Sequence, residues 1–324
     1  MKKFSLILAF MLCVSVTTFA SNAKCLLHHN GTVTLFDADD LNSALNAAVD
    51  GDTIYLSDGN FAGFTVTKKI TVRGSGQMTR IGGDINIQIP NTPTLTNTLL
   101  EGFYSGADIV LNAAVNGLKI KQCRFRSIYS DFDINDVVLD RVYITNLYLS
   151  THWLGLNCLN SKINQVITYN GSSFCDGVSS TASIYFINCN IEYIGNSYGQ
   201  GDYLSVINSV VKSIQLRESN ITNCLYGGYS GGINIDASTT VVTSCYDSGL
   251  DYPNYLLKSD LECFFDASTL QSKGFMGQDG TVVGCYGGTN PYSLDLVGPK
   301  VTESSISIDN DTKQLSVTLK VSAK

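Results

Sequence analysis

One short strand recurs along this chain and limits what the chain can become. Leu118–Phe125, Val138–Ile144, Ile184–Ile191 and Leu204–Val211 share one pattern of alternating apolar and polar residues. Aligning Cys123, Val142, Ser161, Cys189 and Ser209 gives steps of 19, 19, 28 and 20 residues. The long step holds the Gly/Ser-rich stretch Asn170–Ser180, which reads as a loop insertion. A strand unit repeating at about twenty residues predicts a β-solenoid, because one such coil cannot bury its apolar face alone. An antiparallel β-sandwich would also give many short strands, but it does not require the strands to resemble one another.

Alternation fixes the faces. In Leu118–Phe125 the apolar residues point inward, while Lys119, Lys121 and Arg124 point outward. Stacking in register would align like residues of successive coils, and the 26 asparagines suit hydrogen-bonded ladders at the turns. The ends of such a stack are bare sheet edges and need covers. One helical pattern, Asp40–Val49, with Asp40 as N-cap and Leu41, Ala44, Leu45 and Ala48 on one face, is the expected cover for the first coil.

The first twenty residues read as a secretory signal peptide. Lys2 and Lys3 precede the apolar run Phe4–Phe19, and Ala20 closes a small-residue cleavage site. The run is shorter than the roughly 20 apolar residues of a spanning helix, and no second apolar stretch follows, so no transmembrane segment is expected. After cleavage, 19 basic residues face 28 acidic ones, since two of the 21 leave with the leader. A charge near −9 argues against nucleic acid as partner and confines any polyanion site to a local patch. The expected location is secreted, whether periplasm, outer surface or extracellular space.

Nine cysteines remain, and none form a CxxC pair, which excludes the common zinc and iron–sulfur patterns. Secretion permits disulfides. Cys123 and Cys189 sit in strand patterns where cysteine acts as a small buried hydrophobe.

Two segments carry a resemblance. Ala47–Leu56 contains Gly51-Asp52-Thr53-Ile54, and Ile70–Gly76 ends in Gly74-Ser75-Gly76. Near the other end stand Gly277–Gly288 and Pro291-Tyr292. These are similar to the opening and closing segments of bacterial secreted right-handed parallel β-helix proteins of the pectate-lyase-like superfamily. The resemblance implies an all-β, right-handed parallel β-helix over residues 21–298 with an N-terminal capping helix. It also implies a secreted or cell-surface habit. The group includes polysaccharide lyases as well as members without known activity, so chemistry must come from the site. Residues 299–324 alternate about the turn Asp309–Asp311 and read as a two-strand extension, too short for an independent domain.

Two functions compete. The favoured one is a non-catalytic module, structural or adhesive, that binds a polysaccharide or cell-surface glycan. Arg141, Tyr143, Tyr185 and Tyr193 are the candidate ligand-binding residues, because outward tyrosines can stack on sugar rings. The rival is a lyase that cleaves a uronate polymer by β-elimination. It would draw its base from Lys119, Lys121, Arg124 or Arg126, and would hold calcium on Asp131 and Asp133, set on one face by an inward Phe132. The bland alternative for these charges is mutual pairing on the surface. Apart from that calcium no cofactor is expected. Asp236, Asp247, Asp251 and Asp260 form no acid pair of defined spacing, and the adjacent His152 and Trp153 read as a packing or surface pair. Gly227–Gly232 does not open a helix and reads as a turn rather than a phosphate cradle.

Overall fold

A computed structural model describes residues 23–89, 98–150, 152–168, 183–195, 203–226, 234–235, 241–247, 267–294, 300–309 and 314–322. The expected leader at 1–20, the stretch 170–180 expected as a loop insertion, the glycine cluster at 227–232, and Asp236, Asp251 and Asp260 lie outside them. The chain divides after Leu294 into two compact units.

The first unit is the parallel β-solenoid that the repeat predicts. Two sheets share its coils. Sheet A runs, always parallel, from Thr53–Leu56 through Lys119–Lys121, Val137–Asp140, Gly155–Leu159 and Ser183–Ile187 to Val241–Thr243. Sheet B stacks in the same order and includes Thr79–Ile81, Tyr104–Ser105, Arg124–Ser130, Tyr143–Leu149, Lys162–Thr168, Asn190–Gly195 and Val210–Leu216. The inward column Ile120, Leu139, Cys158, Phe186, Val206 and Ile221 is in register and fully buried.

The corner between the sheets explains much of the repeat. Gln122, Arg141, Asn160, Asn188, Asn208 and Asn223 all have φ between 47° and 54°. This left-handed conformation is one that asparagine tolerates better than most residues, which accounts for the ladder. Each of these backbone N–H groups donates to a carbonyl of the next coil, as in Asn160 to Ile187 at 3.0 Å and Asn188 to Ile207 at 3.1 Å.

The residue after each corner points inward. At Cys123, Ser161, Cys189, Ser209, Cys224 and Cys245 the side chain donates back across the corner to the carbonyl two residues earlier. Serine and cysteine are therefore interchangeable here: both are small, and both offer one donor. Cys25, Cys123, Cys158, Cys189, Cys224 and Cys245 are free thiols. Burial raises the Cys123 pKa to about 12, which leaves that thiol inert. Cys285 is disulfide-bonded.

The N-terminal cover is larger than the expected helix. The helix spans Leu41–Ala47, with Asp40 as N-cap and with Leu41, Ala44 and Leu45 buried. It stops before Val49 because Ala48 is already extended and the buried Asp52 carboxylate accepts the Val49 N–H at 2.8 Å. Lys68 Nζ donates to the carbonyls of Leu45, Asn46 and Ala48, supplying partners at the helix C-terminus. A hairpin of Lys24–His29 and Thr32–Asp37 precedes the helix. It turns through Asn30 and Gly31, both with positive φ, as a two-residue hairpin requires. Its first strand pairs antiparallel with Thr53–Leu56 and covers the first parallel edge of sheet A.

Residues 267–294 return over the solenoid as a strap that includes the short helix Ala267–Ser272. Leu270, Val282 and Val283 pack on Val210 and Leu225, two outward residues of sheet B. The second unit is an antiparallel hairpin of Lys300–Asp309 and Gln314–Ser322, as the alternation predicts.

Candidate functional site

The basic cluster of the sequence is divided by the corner at Gln122. Lys119 and Lys121 lie on the outer face of sheet A, Arg124 and Arg126 on that of sheet B. Alternation places all four outward, but the left-handed residue turns the chain between the pairs. They do not converge on one site.

On sheet A the charges alternate in register: Arg73, Glu101, Lys121 and Asp140 occupy successive coils of one column. Arg73 Nε donates to Glu101 at 2.6 Å. Arg141, at the corner, donates to the neighbouring Asp140 at 3.1 and 3.3 Å. Tyr185, flanked by buried Ile184 and Phe186, is on the outer face as expected.

On sheet B, Arg126 grips Asp108 through Nε and Nη2, at 2.8 and 2.7 Å. That contact holds the Arg126 guanidinium still more firmly protonated and unfit as a base. The Tyr193 hydroxyl donates to Gln215 at 3.3 Å.

The calcium pair takes another shape. Phe132 is 45% exposed, not inward. The segment has left the strand at Ser130, whose Oγ accepts the Phe132 N–H and donates to the Leu111 and Phe132 carbonyls, so strand alternation no longer applies. Asp133 lies 2.9 Å from His152 Nδ1, and Asp131 is exposed. Among the described residues no group of three or more metal-binding side chains forms. The neighbouring Trp153 is fully buried, as a packing residue should be.

The most organised outward feature is a column of rings and cations on sheet B that the sequence reading did not assemble. Arg80, Tyr104, Arg124, Tyr143, Lys162 and Asn190 are register partners in successive coils. The Arg124 guanidinium lies 5.0 Å from the Tyr104 ring centre and 4.9 Å from that of Tyr143, and Lys162 Nζ lies 5.0 Å from Tyr143. These are cation–π distances.

The strap closes over the far end of this column. Tyr143 is only 4% exposed, a correction to its expected place as an open sugar-stacking residue. It packs with Cys285, Tyr292 and Leu294 because the strap covers this stretch of the sheet face. Asn190 Oδ1 accepts the Cys285 N–H at 2.9 Å, and Asn160 Nδ2 donates to Gly287 O at 2.7 Å. Burial pushes the Tyr292 phenol pKa up, and nearby Arg124 partly offsets this. The Tyr292 hydroxyl has no hydrogen-bond partner among the described residues. The column therefore has a covered half, from Tyr143 onward, and an open half at Arg80, Tyr104 and Arg124.

Comparison with protein-family models, with curated proteins and with solved structures finds no match for this chain. No helix among the described residues is long and apolar enough to cross a membrane.

Proposed function

We propose that this chain is an exported, non-catalytic β-solenoid that binds glycan on its outer surface and acts as a structural or adhesive module. One observation carries the reading: the cations a lyase would use are divided between two sheets, and three of the charged groups around them are already paired. Arg126 is clamped by Asp108, Arg141 by Asp140 and Asp133 by His152. A proton-abstracting base needs a lowered pKa and a free lone pair at the reacting carbon. An arginine gripped by a carboxylate has neither. The disulfide at Cys285 supports an oxidising compartment, in keeping with the leader at residues 1–20.

The test is retention against release. Residues 21–324 are incubated with acidic and neutral polysaccharides, with and without calcium. Bound protein and new chain ends are both measured. Retention without new ends is expected. Calcium-dependent release from a uronate polymer that disappears in Lys119→Ala or Arg124→Ala would overturn the reading.

A further inference from the structure

We propose that Arg80, Tyr104 and Arg124, the open half of the sheet B column, form a binding track for a linear polysaccharide with an anionic group on alternate sugars. The inference rests on the glycan-binding reading above and gives it a place and a charge.

The argument begins with how the other arginines are used. Arg73, Arg126 and Arg141 each pair with a carboxylate, and Arg217 has a partner of its own. Neither Arg80 nor Arg124 makes an ion pair with a described residue, although the chain is rich in acid. The two occupy one register column with Tyr104 between them. Two rungs of a sheet separate them by about 9–10 Å. Arg80 is exposed, and Tyr104 and Arg124 are half-buried, so a ligand can reach all three.

Arg124 is also held in place. Rings on either side contact its guanidinium and restrict its motion, and no hydrogen bond to a described residue uses its side-chain N–H groups. A guanidinium positioned by its rings and unengaged at its edge suits a planar carboxylate or a sulfate. Tyr104, with one ring face against Arg124, stands between the two cations, and its hydroxyl can hydrogen-bond a sugar. The pattern is cation, ring, cation along a straight line. A chain with an anionic group on every second sugar would match it in both order and step. Just beyond Arg124, the strap buries Tyr292 against Tyr143 and closes this end of the track.

The experiment measures binding of residues 21–324 to hyaluronan, with a carboxylate on alternate sugars, and to chondroitin sulfate, which adds sulfate. Neutral dextran and a single-stranded oligonucleotide are the comparison probes. Binding to at least one of the two anionic polymers is expected, weakening as salt rises. Arg80→Gln and Arg124→Gln should each weaken it about fivefold, and the double variant more. Arg73→Gln, which breaks a pair on the other sheet, should leave it unchanged. Arg80 is a surface residue, so its variant should keep the parent melting temperature, which separates lost binding from lost folding. The relative affinities of the two polymers tell carboxylate from sulfate. The proposal fails if the double variant binds the anionic polymers like the parent, or if the oligonucleotide binds better than either. Binding to dextran that ignores both arginines would sink the track and leave the broader glycan reading intact. No binding to any polysaccharide would sink both.

Discussion

Asp52 shows how much one side chain can settle at the mouth of the solenoid. Its carboxylate is buried, accepts the Val49 N–H at 2.8 Å and lies 2.7 Å from His29 Nδ1. It thus fixes the exit from the capping helix and ties the hairpin to the first coil. Burial alone would raise its pKa, but the Val49 and His29 contacts outweigh that and leave it below the ordinary 3.8. A folded-state value below the unfolded one stabilises the fold at pH above the unfolded value. That contribution is lost as pH falls through the folded value. We expect Asp52→Ala to cost about 1–3 kcal/mol near neutrality, from the hydrogen bonds it removes. In thermal melts taken at decreasing pH, the gap between parent and variant should close below 3.8. A gap that stays constant into strong acid would show that the carboxylate's charge is irrelevant. The motif Gly51-Asp52-Thr53-Ile54 is readable as a strand opening, but the His29 contact is not, since it joins residues 23 apart.

At the scale of the element, the strap is the feature least legible in advance. The coils reveal themselves because each repeats its neighbour, and the column Cys123, Val142, Ser161, Cys189, Ser209 is aligned by its strands as their spacing predicts. The strap occurs once, and its contacts join residues as far as 127 apart, so no periodicity announces it. The hairpin cover was missed for another reason. Thr32–Asp37 lies at the sheet edge with almost every residue exposed, so no buried face imposes alternation on it. The strap's glycines explain themselves only once its seat is known. Gly284 has φ +86°, and a Cβ there would meet Asn190 Oδ1 at 2.3 Å. Its N–H donates to Asn208 O at 2.7 Å. We expect Gly284→Ala to loosen the strap while the coils keep their pairing. Hydrogen exchange should quicken across 275–288 and remain unchanged in Val137–Asp140. Equal loss of protection in both would show that the strap and coils unfold as one.

For the whole molecule, the governing fact is that, among the described residues, each parallel strand inside the stack pairs its backbone with the strands of the coils before and after it. Stability in such a stack is a sum of intrinsic and nearest-neighbour terms, so position along the axis decides what a lost side chain costs. Leu139 is fully buried, in a strand paired on one edge with Lys119–Lys121 and on the other with Gly155–Leu159. Val242 occupies the same inward column at the last described rung of sheet A, paired only with Asn220–Thr222 among the described residues, and is 41% exposed. The sequence makes these two positions look alike, because alternation reports the face of a strand and not how completely its neighbours cover it. Their energetics should differ widely. Leu139→Ala leaves a cavity between two well-packed layers and should cost about 2–5 kcal/mol, whereas Val242→Ala removes atoms already near water and should cost under about 1 kcal/mol. Urea unfolding of both variants measures the difference, and hydrogen exchange at low urea locates it. The rung at Val241–Thr243 should open first and the central coils last. If both variants lost the same stability, or if every rung exchanged at one urea concentration, the solenoid would be a single cooperative block and the nearest-neighbour account would be wrong.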